Sequence, residues 1–229
     1  MQKVAVVLAG GWGQRFGTDV PKQLLTLAGK TLIEHCIAAF EDAAGVDEIL
    51  LVMTAGRATH VERLADGIRY PKVSGIIEGG ATRTESTRLA IGALGERECD
   101  VLFHDAARPL LDQRIIADCV TALGTHRAVG VAVPTSDTIV VVDDGVMTRM
   151  PSRENLLRCQ TPQGFRLSVI RRAHRLAMAD PDFSATDDCG VVLRYLPDVP
   201  VRVVPGSERN IKITYPGDLR VAESFLTPG

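Results

Sequence analysis

The residues best suited to chemistry are small or cationic and lie near the amino end, in the stretch 4–23, VAVVLAGGWGQRFGTDVPKQ. The apolar start of this stretch predicts a short buried strand that runs into a glycine-rich turn. Glycines let backbone N–H groups approach an anion with no Cβ in the way, and nearby cations add to the attraction. The glycines and cations concerned are Gly10, Gly11, Gly13, Arg15 and Lys22. The turn therefore suits a triphosphate better than a neutral ligand.

Two known phosphate-binding motifs fit this part of the chain poorly. Gly11-x-Gly13-x-x-Phe16 resembles the dinucleotide-binding fingerprint, but Phe16 stands where that motif needs its third glycine. Gly29-Lys30-Thr31 resembles the end of a P-loop, but Leu24 stands where that motif needs its first glycine. We interpret Lys30 as a solvated loop residue.

A carboxylate and an arginine follow a predicted strand in His104-Asp105-Ala106-Ala107-Arg108-Pro109. Asp105 could hold Mg²⁺ or the hydroxyl of an acceptor, because hard cations take oxygen ligands and share them with phosphates. Arg108 would then bind the acceptor, that is, the substrate that carries this hydroxyl. The alternative is an internal ion pair between Asp105 and Arg108. We interpret His104 as a packed strand residue.

A glycine turn between a predicted strand and a predicted helix offers a second binding site, in Glu78-Gly79-Gly80-Ala81-Thr82-Arg83 with Ser86. Its backbone groups could read the edge of a base, and Thr82 or Ser86 could hold a ribose or a base amino group. The alternative is that Thr82 only caps the helix.

The elements that must position these residues alternate between strand and helix. Predicted strands are 4–8, 48–54, 73–77, 101–104, 128–134 and 201–204, and predicted helices are 32–44, 58–67, 83–94, 112–123, 167–178, 187–196 and 216–225. This alternation predicts an α/β fold with a Rossmann-like, mostly parallel sheet and helices on both faces. Ligands of such sheets bind outside the carboxyl ends of the strands.

Residues 138–159 break the alternation and predict a β-hairpin arm with a turn at Asp143-Asp144-Gly145. A lone hairpin is marginal in water, so it must pack on a partner subunit or fold back on its own domain.

Length and composition limit the remaining classes. The 229 residues, 45% of them apolar, predict a single domain over 1–229. The net charge of −2 gives no reason to expect a nucleic-acid partner. The short apolar start predicts neither a signal peptide nor a membrane span, so we expect the cytoplasm. Five scattered cysteines indicate neither a disulfide framework nor a zinc site.

Five ordered motifs resemble the cytidylyltransferases that act on polyol phosphates, of which one branch makes CDP-methylerythritol and a sister branch CDP-ribitol. The motifs are LAGGxGxRFG…PKQ, HDAARP at 104–109, QTPQ at 160–163, TDD at 186–188 and NIKIT at 210–214. The resemblance runs from Val4 to about Phe225. It implies CTP and a polyol phosphate as substrates, Mg²⁺ as cofactor, and a homodimer in which the arm embraces a second copy.

The resemblance also implies roles for individual residues. Nucleotidyl transfer must hold like charges together, so cations are indispensable. Catalytic roles fall to Arg15, Lys22 and Lys212, although lysines are usually surface residues. Nucleotide binding falls to Ala9, Gly10, Gly11, Gly13, Gly80, Ala81 and Ser86. Acceptor binding falls to Asp105, Arg108, Thr138, Arg153, Thr161 and Asp187, with Asp105 also the metal candidate.

Three of these assignments leave alternatives open. Family members often carry Asp at position 81, so Ala81 leaves that contact to the backbone. Arg153 lies in the arm, so its own or the neighbouring subunit could use it. The TDD motif either caps a helix with an acidic first turn or grips the hydroxyls of the acceptor, and we favour the cap.

Three short motifs slightly favour the ribitol branch, so we expect ribitol 5-phosphate as acceptor, with methylerythritol 4-phosphate as the alternative. The motifs are LAGG at 8–11, DTIV at 137–140 and TDDC at 186–189. A catalytically silent nucleotide-binding protein is a second class, although every predicted cation is present. A nicotinamide oxidoreductase is disfavoured, because Met53 and Thr54 stand where it needs an acidic residue.

Overall fold

The computed structural model describes residues 1–10, 21–57, 59, 61–62 and 68–226. Within these ranges strands and helices alternate as predicted. The strands are β1 Lys3–Ala9, β2 Thr26–Leu27, β3 Lys30–Thr31, β4 Glu48–Met53, β5 Val73–Glu78, β6 Asp100–Asp105, β7 Ala128–Pro134, β8 Val141–Asp143, β9 Val146–Arg149, β10 Leu157–Arg166 and β11 Arg202–Pro205. The helices are α1 Leu32–Glu41, α2 Arg83–Ala93, α3 Gln113–Leu123, α4 Leu167–Ala177, α5 Asp188–Tyr195 and α6 Pro216–Leu226.

Seven strands form the central sheet, in the order β11-β7-β10-β6-β1-β4-β5. The pairs β1–β4, β1–β6, β4–β5 and β7–β11 are parallel, whereas β10 is antiparallel to both of its neighbours. The fold is therefore the predicted α/β, Rossmann-like, mostly parallel sheet.

Helices cover both faces of this sheet. Along β1 the buried side chains alternate, with Val4, Val6 and Leu8 in one apolar cluster and Ala5 and Val7 in the other. The first cluster receives side chains from α2, α4 and α5, and the second from α1 and α3. A strand buried on both faces reads as a continuous apolar run, which is why β1 was predictable.

Four helices begin at side-chain caps. The caps are Thr31, Thr82, Asp112 and Asp187, each of which accepts a backbone N–H three residues further on. An N-cap satisfies one of the four backbone donors that a helix leaves open at its start. The cap interpretations of Thr82 and of the TDD motif are thus confirmed.

Among the described residues, β10 is the one strand of the central sheet that was not predicted. Its segment QTPQGF contains Pro162 and Gly164, which normally weaken or end a strand. These residues do disturb the strand, because its register with β7 shifts between Cys159 and Gln163. The strand continues on both sides of this shift and carries the QTPQ motif into the middle of the sheet.

The predicted hairpin is confirmed, with β8 and β9 joined at Asp144 and Gly145, both of which have positive φ. Its predicted end is wrong, because Leu157, Arg158 and Cys159 pair with β7 in the central sheet. All side chains from 141 to 150 are exposed, including several large apolar ones.

Two further segments complete the fold, a predicted helix and the segment of the NIKIT motif. The predicted helix 58–67 falls mostly outside the described residues. The segment 210–214 is not a strand, although Ile213 is buried and its N–H donates to the carbonyl of Ala107 at 2.7 Å. Among the described residues, no helix has the length and apolar content needed to cross a membrane.

Candidate active site

The carboxyl ends of β1, β4, β5 and β6 meet along one edge of the sheet. The N–H of Ala106, just after β6, donates to the carbonyl of Leu8 at 2.9 Å. The N–H of Gly79, just after β5, donates to the carbonyl of Met53 at 2.7 Å. The end of β1 therefore lies beside the HDAARP motif, and the end of β4 lies beside the turn at 79–80, as a parallel sheet requires.

Gly10 lies at this edge against Ser86. A Cβ at Gly10 would stand 2.8 Å from the Oγ of Ser86, and a Cβ at Gly79 would meet the same atom at 2.8 Å. Ser86 is buried; its hydroxyl donates to the carbonyl of Thr82 and accepts the N–H of Gly80. The absence of side chains at 10 and 79 thus lets Gly10, just after β1, and the turn at 79–80 pack closely around Ser86. The predicted nucleotide contacts of Ala9, Gly10, Gly80, Ala81 and Ser86 stay predictions.

Lys22 is anchored to this edge by the residue that follows it. Gln23 is buried, and its side-chain amide donates to the carbonyl of Ala9 and to Oγ1 of Thr54. Pro21 precedes Lys22 and has φ −53° and ψ 129°, the extended backbone that a proline ring favours. Lys22 is therefore held where β1 and β4 end.

Asp105 forms ion pairs with two cations at this edge of the sheet. Its Oδ1 accepts the Nε of Arg83 at 2.9 Å, and its Oδ2 accepts the Nζ of Lys212 at 2.7 Å. Burial alone would raise the pKa of Asp105, but the charges and hydrogen bonds of Arg83 and Lys212 outweigh burial and hold that pKa well below its usual range. The carboxylate is thus ionised and fixes the amine of Lys212 beside the end of β6.

Lys22 and Lys212 both lie at the carboxyl ends of the parallel strands, although 190 positions separate them in the sequence. Lys22 precedes Gln23, whose side chain binds the end of β1, and Lys212 pairs with the last residue of β6, the strand next to β1. That both lysines serve one polyphosphate stays a prediction.

Arg108 does not pair with Asp105, so the alternative of an internal ion pair between them is wrong. Its guanidinium donates to the carbonyl of Asn210 at 2.7 Å and to that of Cys159 at 3.3 Å. These bonds tie the HDAARP loop to β10 and to the segment that carries Lys212. The acceptor-binding role of Arg108 stays a prediction.

The QTPQ motif positions three parts of the site. Gln160 bonds to the backbone of Ser207 and to Asn210 in the segment before Lys212. Thr161 is buried, and its hydroxyl accepts the N–H of Asp105 at 3.1 Å. Gln163 accepts the N–H groups of the first two residues of α5. In this arrangement the hydroxyl of Thr161 holds β6, and its contact with the acceptor stays a prediction.

His104 is a packed strand residue, as predicted. Burial lowers the pKa of His104 from 6.5 to about 4, so the ring is neutral near pH 7. Its Nε2 donates to the carbonyl of Arg108 at 3.0 Å, which leaves Nδ1 to accept the hydroxyl of Thr161 at 3.0 Å. The neutral ring thereby fixes the conformation of the HDAARP loop.

The remaining acceptor candidates lie at different depths. Thr138 and Arg153 are exposed, and Arg153 donates to the carbonyl of Ser136 at 3.1 Å. Asp187 uses one carboxylate oxygen to cap α5 and the other to accept the side chain of Gln163 at 2.9 Å. The predicted contacts of all three with the acceptor stay predictions.

Three predicted site residues, Gly11, Gly13 and Arg15, lie outside the described residues. Conversely, Arg83 and Asp188 were not predicted as site residues. The Nη1 of Arg83 donates to Oδ2 of Asp188 at 2.7 Å, so this arginine bridges two carboxylates. One signal was available: Arg83 opens helix α2, where a cation opposes the helix dipole and therefore needs acidic partners.

Asp105 offers Mg²⁺ little in this arrangement. Both of its oxygens already accept N–H groups from cations, and the described residues contain no cluster of three or more His, Cys, Asp or Glu side chains that could hold a metal. Magnesium is commonly held by one or two carboxylates together with substrate phosphates. Metal binding by Asp105 stays a prediction and would require it to exchange one of its cations.

Comparison with known proteins decides the family. A family model described as 2-C-methyl-D-erythritol 4-phosphate cytidylyltransferase (IspD) matches residues 3–228. The chain belongs to the IspD family. A protein of that name from Thermobifida fusca is 53% identical over 232 residues, which cover 98% of this chain and 93% of the relative. Because IspD-family proteins are cytidylyltransferases, the chain is a nucleotidyltransferase that uses CTP and a phosphorylated acceptor.

Solved structures of the IspD family share the fold. The 4-diphosphocytidyl-2C-methyl-D-erythritol synthase of Anaerococcus prevotii superposes with a TM-score of 0.86 at 26% identity, covering 98% of this chain and 96% of that one. The Thermus thermophilus 2-C-methyl-D-erythritol 4-phosphate cytidylyltransferase gives 0.75 at 31% identity, covering 96% and 97%.

The comparisons do not favour the expectation of ribitol 5-phosphate as acceptor. A Haemophilus influenzae protein named bifunctional ribulose 5-phosphate reductase/CDP-ribitol pyrophosphorylase Bcs1 is 38% identical, covering 98% of this chain but 48% of that protein. This identity is lower than that of the Thermobifida relative. The short motifs at 8–11, 137–140 and 186–189 therefore do not decide the acceptor.

Proposed function

We propose that the chain transfers the CMP group of CTP to 2-C-methyl-D-erythritol 4-phosphate. A phosphate oxygen of the acceptor attacks the α-phosphorus of CTP, the bond from that phosphorus to the bridging oxygen breaks, and pyrophosphate leaves. The observation that carries the choice of acceptor is the 53% identity to the Thermobifida fusca protein of that name, over nearly the full length of both chains.

The geometry supports this chemistry through the charges at the edge of the sheet. The acceptor phosphate and the triphosphate repel each other, so the reaction needs positive groups where negative charge builds up. Lys22 lies beside Gln23, which is anchored at the end of β1. Lys212 supplies an ammonium group at the end of the adjacent strand β6, and Asp105 fixes the direction of that group. A phosphomonoester is already largely deprotonated near pH 7, so the neutral His104 is not needed as a base.

The required metal would arrive with the nucleotide in this proposal. Magnesium bound to the phosphates of CTP would neutralise charge on the leaving group. The protein then contributes the placement of its two lysines, with Asp105 still bound to Lys212 and Arg83.

The arm supports a homodimer. Its strands β8 and β9 expose Val142, Val146 and Met147, and Met147 is 70% exposed. A second copy of the chain would bury this apolar surface and would bring Arg153 close to a neighbouring site. Isolated hairpins need such support, because two strands alone bury too little apolar area.

The test is pyrophosphate release from CTP and Mg²⁺ with each polyol phosphate in turn. We expect kcat/KM to be on the order of 10- to 100-fold higher with methylerythritol 4-phosphate than with ribitol 5-phosphate, since acceptors this similar are separated by modest energies. A higher value with ribitol 5-phosphate would reverse the assignment of the acceptor. Nucleotide binding without product from either would indicate a catalytically silent protein.

A further inference from the structure

A series of ion pairs near the site starts at the buried Asp188 of α5 and ends at Lys212. Asp188, the first residue of α5, accepts the Nη1 of Arg83 at 2.7 Å, and Arg83 donates its Nε to Asp105 at 2.9 Å. Asp105 accepts the Nζ of Lys212 at 2.7 Å. Four side chains from α5, α2, β6 and the 210–214 segment are thus linked by three ion pairs.

The two ends of this series of ion pairs differ in their exposure to solvent. The side chain of Lys212 is 42% exposed at the edge of the sheet, whereas that of Asp188 is 1% exposed and cannot touch a substrate. Asp188 is itself held on every side: its N–H donates to Gln163, and its oxygens meet His174 at 3.3 Å and Thr87 at 3.4 Å. Asp188 is therefore a fixed point of the core.

The geometry of Arg83 suits it to link the buried Asp188 to Asp105, which holds the amine of Lys212. A guanidinium is planar and donates in fixed directions, so a carboxylate at one nitrogen sets where the others point. With Nη1 bound to Asp188, the Nε of Arg83 is aimed at Asp105. Both carboxylates have pKa values below their usual range, because the charge of Arg83 and their other partners outweigh burial, so both are ionised.

We propose that Arg83 and Asp188 are positioning residues for cytidylyl transfer: Asp188 orients Arg83, Arg83 orients Asp105, and Asp105 sets the position of the Lys212 amine. This inference rests on the proposed function only in that turnover reports it. It also gives the TDD motif a second role, because Asp187 caps α5 and Asp188 anchors the site.

A double-mutant cycle tests the chain of contacts. Arg83→Gln removes the bridge, and we expect kcat to fall about 100-fold, since small misplacements of reacting groups have effects of that order. Asp188→Asn removes the anchor charge, and we expect a fall of about 10-fold, with the KM for CTP changed by less than about threefold in either variant. If Asp188 acts through Arg83, the double variant is no slower than Arg83→Gln alone.

The matched control is Cys189→Ala, which alters a buried side chain on the same helix without changing charge. We expect Cys189→Ala to lower Tm and to leave kcat unchanged, whether it is made in the unmodified protein or in the Arg83→Gln variant. The proposal would be overturned if the effects of Arg83→Gln and Asp188→Asn on kcat multiply in the double variant. It would also be overturned if Asp188→Asn lowers Tm and leaves kcat unchanged. If Arg83→Gln does not fold, Arg83→Lys replaces it; it keeps the charge but cannot bridge both carboxylates.

A second readout needs no turnover and separates failure of this proposal from failure of the proposed function. In protein with ¹³C-labelled lysines, the signal of Lys212 is assigned by its loss in Lys212→Met. We expect that signal to shift in both Arg83→Gln and Asp188→Asn and to stay in place in Cys189→Ala. An unchanged signal in the first two variants would refute the chain of contacts even in an active enzyme, whereas a shifted signal in a protein that makes no product would refute only the proposed function.

Discussion

The amine of Lys212 lies 2.7 Å from Oδ2 of Asp105, the last residue of a central parallel strand. This contact fixes a cation that the sequence leaves in an irregular segment, and it places that cation beside the strand that carries the glycine turn. Catalysis by charge needs such placement before the substrates arrive, because preorganised groups need not rearrange during the reaction. The first predictions therefore concern these two residues.

Lys212→Met should remove a charge that acts on the transition state. We expect kcat to fall roughly 100- to 1000-fold, as is typical when one donor to a developing charge is lost. Steady-state rates of pyrophosphate release check this. Lys30→Met, which removes an exposed lysine from β3, is the control and should leave kcat unchanged. Equal rates for Lys212→Met and the unmodified protein would remove this lysine from the mechanism.

Asp105→Asn should destabilise the protein in a pH-dependent way. Breaking a buried ion pair by removing one partner costs about 3 to 5 kcal/mol, and here two cations lose their carboxylate. The pKa of Asp105 is lowered by folding, so its contribution to stability is complete above the unfolded value of about 3.9 and declines as the pH falls below that value. Urea unfolding from pH 7 to pH 3 should show the difference between the two proteins shrinking below pH 4. A difference that stays constant with pH would contradict the assigned ionisation.

Gly10→Ala and Gly92→Ala should change stability in opposite directions. A Cβ at Gly10 would stand 2.8 Å from the hydroxyl oxygen of Ser86, so we expect a loss of about 1 to 3 kcal/mol and weaker CTP binding. A Cβ at Gly92, inside α2, meets nothing within 4 Å, so we expect a gain of about 0.5 to 1 kcal/mol. Thermal unfolding and calorimetric titration with CTP measure both effects. Tolerance of alanine at position 10 would show that the chain there need not approach Ser86 this closely.

Met147→Asp tests the arm. A charge placed on the exposed apolar surface of β9 should weaken the proposed homodimer, because a partner would have to bury it. Sedimentation velocity should show a shift from dimer to monomer at micromolar concentration. Val221→Asp, on the exposed face of α6, is the control and should leave the sedimentation profile unchanged. An unmodified protein that sediments as a monomer would show that the arm serves its own domain.

The strands β1, β4, β6 and β7 could be predicted because most of their side chains are buried, on both faces of the sheet. Ala128–Pro134 was predicted to the residue, and β1, β4 and β6 within one or two residues. Strand β10 could not, because Pro162 and Gly164 suggest a break and only the neighbouring strands show that pairing continues. The local sequence pattern of a strand indicates that it is buried, whereas continued pairing across an irregular stretch depends on strands that are distant in the sequence.

The site was predictable where residues follow strands directly and was missed where partners are distant in sequence. Lys22, Asp105 and Lys212 were found from motifs, and the structure brings them to one edge. The bridge from Arg83 to Asp188 joins positions 105 residues apart, so no local spacing indicates it. The Mg²⁺ requirement, the cytoplasmic location and the roles of individual site residues stay predictions.

A crystal structure with CTP bound would show whether the two lysines converge on one polyphosphate. We expect phosphate oxygens of CTP within hydrogen-bonding distance, about 3 Å, of both the Lys22 and the Lys212 amines, with the triphosphate at the carboxyl ends of the strands next to Gly10. A triphosphate bound at another edge of the sheet, or one that reaches only one of the two lysines with the acceptor also in place, would contradict this expectation.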